Sequence, residues 1–266
     1  MIKPSEQLLS NQKAQAKAVA LFVSDVHLCD ALPRTTRCFL NFLQDHALQA
    51  EQVFLLGDLF EYWAGDDDVS PYNQKIVDSL HAVSEAGVKL FWIAGNRDFL
   101  VGEDFARQTG VQLLNDPSEL VLAGRHLLIS HGDALCTDDL DYMAFRAMVR
   151  RSEWQTQFLS KALSERKAII EGMRKASSQE QKNKTMAIMD VNQTAVSVLC
   201  QEYPGATLIH GHTHRNAIHT ETYATRYVLP DWDCEHITEQ RGGFLRLDAD
   251  GSLQFIDITF EWQAGS

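Results

Sequence analysis

The chain has 266 residues, 45% of them hydrophobic, and a formal net charge of −12 at pH 7. That length suits one large domain with an insertion, and the acidic balance argues against general nucleic-acid binding. No apolar stretch approaches the roughly 20 residues of a membrane-spanning helix. The five cysteines are scattered without a Cys-x-x-Cys pair, which argues for a reducing compartment and against a thiolate-bound zinc.

Residues 1–19 read as a polar, flexible lead-in without the pattern of a secretory signal. Strand and helix then alternate, and four apolar runs end in polar clusters. Leu21-Phe22-Val23 runs into Ser24-Asp25-Val26-His27, and Val53-Phe54-Leu55-Leu56 into Gly57-Asp58. Leu90 to Ala94 runs into Gly95-Asn96-Arg97-Asp98, and Leu127-Leu128-Ile129 into Ser130-His131-Gly132-Asp133. Buried strands read as continuous apolar runs, and ligands gather at their carboxyl ends. Helices are predicted at Pro33 to Leu48, Pro71 to Ala86 and Gly102 to Gln108. The alternation implies an α/β sheet covered by helices.

The pattern changes over 138–185, where apolar residues recur at helical spacing. This stretch reads as a helical cap inserted into a body made of 20–137 and 186–266. From Leu140 to Lys184 there are 10 Lys or Arg against 5 acids, a balance of +5 that leaves −17 for the rest of the chain. Those cations suggest an anionic partner at the insert. The stripe around Phe158, Ile170 and Met173 reads as a wall for acyl chains. A helix is predicted again from Met186 to Gln201. Ala206 to Ile209 reads as a strand that ends in His210-Gly211-His212-Thr213-His214. Strict alternation would aim His212 and His214 at one point. Strands at Thr225 to Leu229, Gly243 to Leu247 and Leu253 to Thr259 follow, the last two joined by a turn at Asp248 to Gly251. Asp66-Asp67-Asp68 reads as a solvated loop or, near the metal mouth, as one that orients the groups behind the ligands. Trp63 reads as core packing or as a pocket wall, and His46, His81, His126, His219 and His236 have no motif context and read as structural.

Five strand ends thus offer His, Asp or Asn. Carboxylates and imidazoles converging without partners would repel or stay unsatisfied, and a cation resolves that. Oxygen and nitrogen donors without thiolate suit Mn²⁺, Fe²⁺, Mg²⁺ or Zn²⁺. The donors exceed the needs of one ion. Two ions roughly 3.5–4 Å apart, sharing a carboxylate, form the clamp used in phosphoryl transfer.

Asp25-x-His27, Gly57-Asp58, Gly95-Asn96, His131-Gly132-Asp133 and Gly211-His212-x-His214 together resemble the signature of the calcineurin-like metallophosphoesterases. The resemblance implies a four-layered αββα sandwich. It implies one ion held by Asp25, His27, Asp58 and His214, and a second by Asp58, Asn96, His131 and His212, with Asp58 bridging. Most of that superfamily has His after Gly-Asn, whereas this chain has Arg97. Arginine stays charged and cannot act as a general acid, but it stabilises phosphoryl charge. The leaving group should therefore need no proton.

Gly95-Asn96-Arg97-Asp98-Phe99, Gly57 to Trp63 and Ala187 to Asn192 are similar to the branch acting on UDP-2,3-diacylglucosamine in lipid A biosynthesis. That similarity implies a diphosphatase that directs water at the α-phosphorus, releasing UMP and 2,3-diacylglucosamine 1-phosphate. It implies Mn²⁺ as the usual ion, with Asn96, Arg97 and Asp58 at the chemistry. Asn96, Arg97, Asp139, Ser177, Gln181, Lys184 and His212 are implied as contacts to the acylated nucleotide-sugar. Gln181 departs from the branch's frequent Asn or Thr. Peripheral attachment to the cytoplasmic side of the inner membrane is implied too. Rival readings are a nuclease or cyclic-nucleotide phosphodiesterase on the same ions, opposed by the net charge and Arg97, and a metal-free scaffold, opposed by the complete ligand set.

Overall fold

The computed structural model describes residues 17–181, 190–236 and 238–258. The chain begins with β1 (Ala20–Val23), α1 (Pro33–Asp45), β2 (Gln52–Leu55), α2 (Pro71–Glu85), β3 (Lys89–Ile93), α3 (Glu103–Thr109) and β4 (Val111–Leu114). A hairpin of β5 (Ser118–Leu122) and β6 (Arg125–Ser130) leads into α4 (Leu140–Val149), α5 (Ser152–Leu159) and α6 (Leu163–Gln181). Then come α7 (Gln193–Glu202), β7 (Thr207–His210), β8 (Ala217–Thr220), β9 (Thr225–Val228), β10 (Gly243–Leu247) and β11 (Leu253–Asp257).

Two mixed sheets result, in the orders β11-β10-β1-β2-β3-β4 and β5-β6-β7-β9-β8. Strands β1 to β4 run parallel, as do β6, β7 and β9. The apolar runs are continuous because both faces of these strands are covered. Ala20 and Phe22 of β1 point between the sheets, where Phe54, Ile93, Leu127, Ile129 and Ile209 meet them. Leu21 and Val23 point outward with Val53, Leu55, Leu90 and Trp92, onto Phe39, Phe42, Ile76, Leu80 and Phe105 of the first three helices. On the far side, Leu128 and Leu208 pack on Val196 and Cys200 of α7. Side-chain alternation along each strand thus produces helix, sheet, sheet and helix in four layers, as expected.

Several local expectations change. Of the helix expected from Met186 to Gln201, Met186 to Met189 lie outside the described residues, and α7 starts at Gln193, where the Asn192 side chain accepts from the Ala195 amide and caps it. Strands β4, β5 and β8 fall outside the sequence reading. β5 and β8 are edge strands whose side chains alternate between half-buried and exposed, and the short apolar run Leu120-Val121-Leu122 of β5 ends in no polar cluster. The triple-aspartate loop is not merely solvated. Asp66 accepts from the Trp63 indole at 2.9 Å and from the amides of Gly102 and Phe105 at the start of α3. Trp63 itself is core.

The insert between β6 and α7 is helical, but its surface is used differently from the expectation. Of its eight described bases, seven have carboxylate partners. Five of those bases reach four carboxylates outside residues 138–185: Asp133 takes Arg146 and Arg150, and Asp67, Asp68 and Glu61 take Arg166, Lys167 and Arg174. Lys161 and Lys175 pair along the helix with Glu165 and Glu171. The charge therefore fastens the insert to the acidic body and does not by itself mark an anion site. Phe158 is likewise buried in the main core, and Ile169 and Ile170 pack against it, so the inner part of the stripe seats the insert. Among the described residues no helix is long and apolar enough to cross a membrane.

Candidate metal centre

The loops after β1, β2, β3, β6 and β7 converge at one end of the sandwich. Backbone bonds tie them together. The Asp25 amide donates to Gly57 O, the His27 amide to Asp58 O and the Gly211 amide to His131 O, at 3.1, 3.0 and 2.9 Å. Asp98, fully buried, accepts from the amides of Leu59, Phe60 and Gly95 and so locks the Asp58 loop to the Asn96 loop. Two glycines permit the close approach. A Cβ on Gly95 would stand 2.1 Å from Asp58 Oδ1, and one on Gly211 would stand 2.2 Å from Asp25 Oδ2.

Two donor groups stand side by side, Asp25, His27 and His214 in one and Asp58, His131 and His212 in the other, each with its donor atoms within 4.8 Å of one another. Asn96 joins the second group, its Oδ1 lying 2.9 Å from His131 Nε2 and 2.8 Å from His212 Nδ1. The strict alternation expected of His212 and His214 does not occur. The strand ends at His210, and both histidines adopt left-handed backbone with φ of 68° and 55°, which sends their rings to different groups. Asp25, His27 and Asp58 are left-handed too, at 54°, 55° and 52°. Such backbone costs about 1–3 kcal/mol per residue and persists at functional sites. Of the described non-glycine residues with positive φ, only Ala123 lies outside the two groups.

This donor set fits divalent cations. Asp25 Oδ2 accepts from Ser24 Oγ and the His212 amide, while its Oδ1 is buried without a hydrogen bond. His27 Nε2 and His214 Nε2 face each other at 3.2 Å, and His131 Nδ1 donates to Leu56 O, which leaves Nε2 as its ligating atom. The site also favours positive charge. Burial opposes protonation of His131, yet the carboxylates of Asp58, Asp133 and Asp25 push its pKa up to about 9. Burial, together with the His131 charge, holds His212 down at about 4.

Arg97 lies at the edge of the second group. Its amide donates to Asp58 Oδ1 at 2.8 Å, its guanidinium donates to Glu61 Oε1 at 3.0 Å, and its side chain is 30% exposed. Asp139, expected at the substrate, caps α4 by accepting from the Tyr142 amide. Ser177 and Gln181 fall on the last turns of α6, their side chains outside the described residues, as is the whole of Lys184. Three residues without assigned roles in the sequence reading also bear on the site. Asp133 accepts from Tyr142 Oη and Arg146 Nε at 2.5 and 2.8 Å, and the Tyr142 ring stacks on His212. Arg150 donates to the carbonyls of Ala94 and Gly95 beside Asn96. Glu61 lies 3.1 Å from His27 Nδ1. Asp133, in His131-Gly132-Asp133, and Glu61, within Gly57 to Trp63, lay in quoted motifs, whereas Arg150 carried no sequence signal.

The calcineurin-like phosphoesterase family model matches residues 19–216. The chain is 48% identical over 217 residues to the UDP-2,3-diacylglucosamine hydrolase of Aromatoleum aromaticum, covering 80% of this chain and 89% of that protein. It is 45% identical over 244 residues to the UDP-2,3-diacylglucosamine hydrolase of Escherichia coli strain K12, covering 90% and 99%. The protein therefore belongs to the calcineurin-like phosphoesterase family.

Proposed function

We propose that this protein hydrolyses the diphosphate of UDP-2,3-diacylglucosamine in lipid A biosynthesis. The similarity to the named hydrolases along nearly the whole chain carries this reading. Arg97 in place of a histidine supports the reaction class. Water's oxygen would bond to the α-phosphorus while the bond to the bridging oxygen breaks. The electron pair leaves on the phosphate of 2,3-diacylglucosamine 1-phosphate, and UMP is the other product. That phosphate is a good leaving group without a proton, so a permanently charged guanidinium suffices there.

Asp25, His27, Asp58 and His214 would hold one ion and Asp58, Asn96, His131 and His212 the other, with Mn²⁺ the ion proposed. When bound, the pair supplies charge neutralisation and a nucleophile at neutral pH. Asn96, Arg97 and His212 would meet the phosphoryl oxygens. Residues 138–185 would act as a cap whose Asp139, Ser177, Gln181 and Lys184 bind the sugar end. The acylated substrate would be met at the cytoplasmic face of the inner membrane. The test is UMP release from UDP-2,3-diacylglucosamine by purified protein, abolished by chelation and restored by Mn²⁺. Intact substrate after Mn²⁺ restoration would overturn the reading.

A further inference from the structure

Glu61 belongs to no ligand motif, yet three elements of the site meet on its carboxylate. Its position is fixed by backbone: the Glu61 amide donates to Leu28 O at 3.1 Å, next to the bridge between Leu28 and Phe60. The side chain is 17% exposed. Oε2 lies 3.1 Å from His27 Nδ1. Oε1 accepts from Arg97 Nη1 at 3.0 Å and also from Arg174 Nη2. Arg174 comes from α6 of the insert, 113 residues away, and its guanidinium lies 5.6 Å from the Tyr62 ring centre. Arg97's other carboxylate contact is Asp58 Oδ2 at 3.9 Å. Two guanidinium groups thus share one oxygen atom. Without that oxygen, like charges would face each other across a partly buried gap, and Arg97 would lose its nearer anchor.

We propose that Glu61 is a positioning residue for the diphosphate hydrolysis, coupling the seating of α6 through Arg174 to the placement of Arg97. The proposal rests on the reading that Arg97 meets the substrate's phosphoryl oxygens. Glu61 aims the guanidinium, and Arg174 holds Glu61 in the orientation that does so. Departure of α6 therefore frees Arg97 to swing, and a correctly seated α6 sets it.

The test is a double-mutant cycle on the full-length, metal-loaded protein, with kcat and KM read from UMP release. Glu61→Gln is expected to lower kcat about ten- to a hundred-fold, the scale of a lost charged hydrogen bond, with KM changed less than about threefold. Arg174→Ala should lower kcat as well, Arg174→Lys should recover most of it, and the Glu61→Gln/Arg174→Ala double variant should be no slower than Glu61→Gln alone. Bound metal should equal the wild-type content in all four. Hydrogen exchange supplies a readout independent of turnover. In metal-free protein the amides of 163–175 should exchange faster in Glu61→Gln and Arg174→Ala alike, with no further gain in the double variant. Multiplicative losses of kcat would uncouple the insert from Arg97, and loss of metal from Glu61→Gln would assign Glu61 to ion retention. Either overturns the proposal. If the wild type releases no UMP, the substrate reading falls separately, and the exchange cycle alone decides the coupling.

Discussion

Replacing Asp133 tests how the insert is fastened to the ligand loops. The carboxylate is fully buried, and Oδ2 accepts from Tyr142 Oη at 2.5 Å and Arg146 Nε at 2.8 Å, with Arg150 Nη2 at 3.7 Å. Burial opposes its ionisation, but the neighbouring His131, His212, Arg146 and Arg150 charges hold its pKa well below the usual carboxylate range. Asp133→Ala takes the nearest acceptor from the Arg146 guanidinium and the Tyr142 phenol and a countercharge from Arg150, which keeps the carbonyls of Ala94 and Gly95. Breaking a buried ion pair from one side costs about 3–5 kcal/mol. The two arginines are 21% and 22% exposed, so water relieves part of the loss and about 3 kcal/mol is expected. Asp133→Asn keeps the shape and an acceptor but not the charge, for about 2 kcal/mol. Urea unfolding reads both. With a slope of about 3 kcal/mol per molar, the alanine midpoint should fall by about 1 M. Hydrogen exchange should localise the loosening to α4, which carries Tyr142 and Arg146. A shift under about 0.5 kcal/mol for Asp133→Ala would refute the reasoning, because α4 would then be held by something other than this carboxylate.

Three further outcomes are expected. Gly95→Ala should lose bound metal, since its Cβ has no room beside Asp58 Oδ1 and the Asp58 amide; metal analysis at wild-type content would contradict the close packing. Metal loading should raise the unfolding temperature by roughly 8–16 °C, from about 4 kcal/mol at a thousandfold excess over Kd, and an unchanged midpoint would argue against ions at the left-handed loops. His210 should set an acid-side slope. Burial, with the Arg226 charge beside its Nε2, holds the ring at about 4 against an ordinary 6.5, while Nδ1 donates to Gly211 O. Between those values the unfolded chain binds more protons, so stability is complete above pH 6.5 and falls by about 3 kcal/mol as the pH drops to 4. His210→Gln should flatten that part of the profile, as read by denaturation at each pH.

The donors of the two groups were legible because each sits on a short local motif at a strand end: an apolar run, then a glycine or serine, then Asp, Asn or His. The sheets were legible for the same reason, except at β4, β5 and β8, edge strands whose half-buried and exposed side chains leave no continuous buried run. What lay hidden is long-range pairing. Arg166 and Arg174 meet Asp67 and Glu61 across 99 and 113 residues, so a charge count over the insert could not tell a fastening from a binding surface. Nor does a strand-like spelling at His212 and His214 announce the left-handed backbone that separates their rings.

In the proposed reaction water is directed at the α-phosphorus of UDP-2,3-diacylglucosamine, with Arg97 stabilising charge and supplying no proton. Turnover in ¹⁸O-labelled water tests it most directly. Mass spectrometry of the products should find one label in UMP and none in 2,3-diacylglucosamine 1-phosphate. Label in the lipid phosphate would place the attack on the other phosphorus and contradict the account.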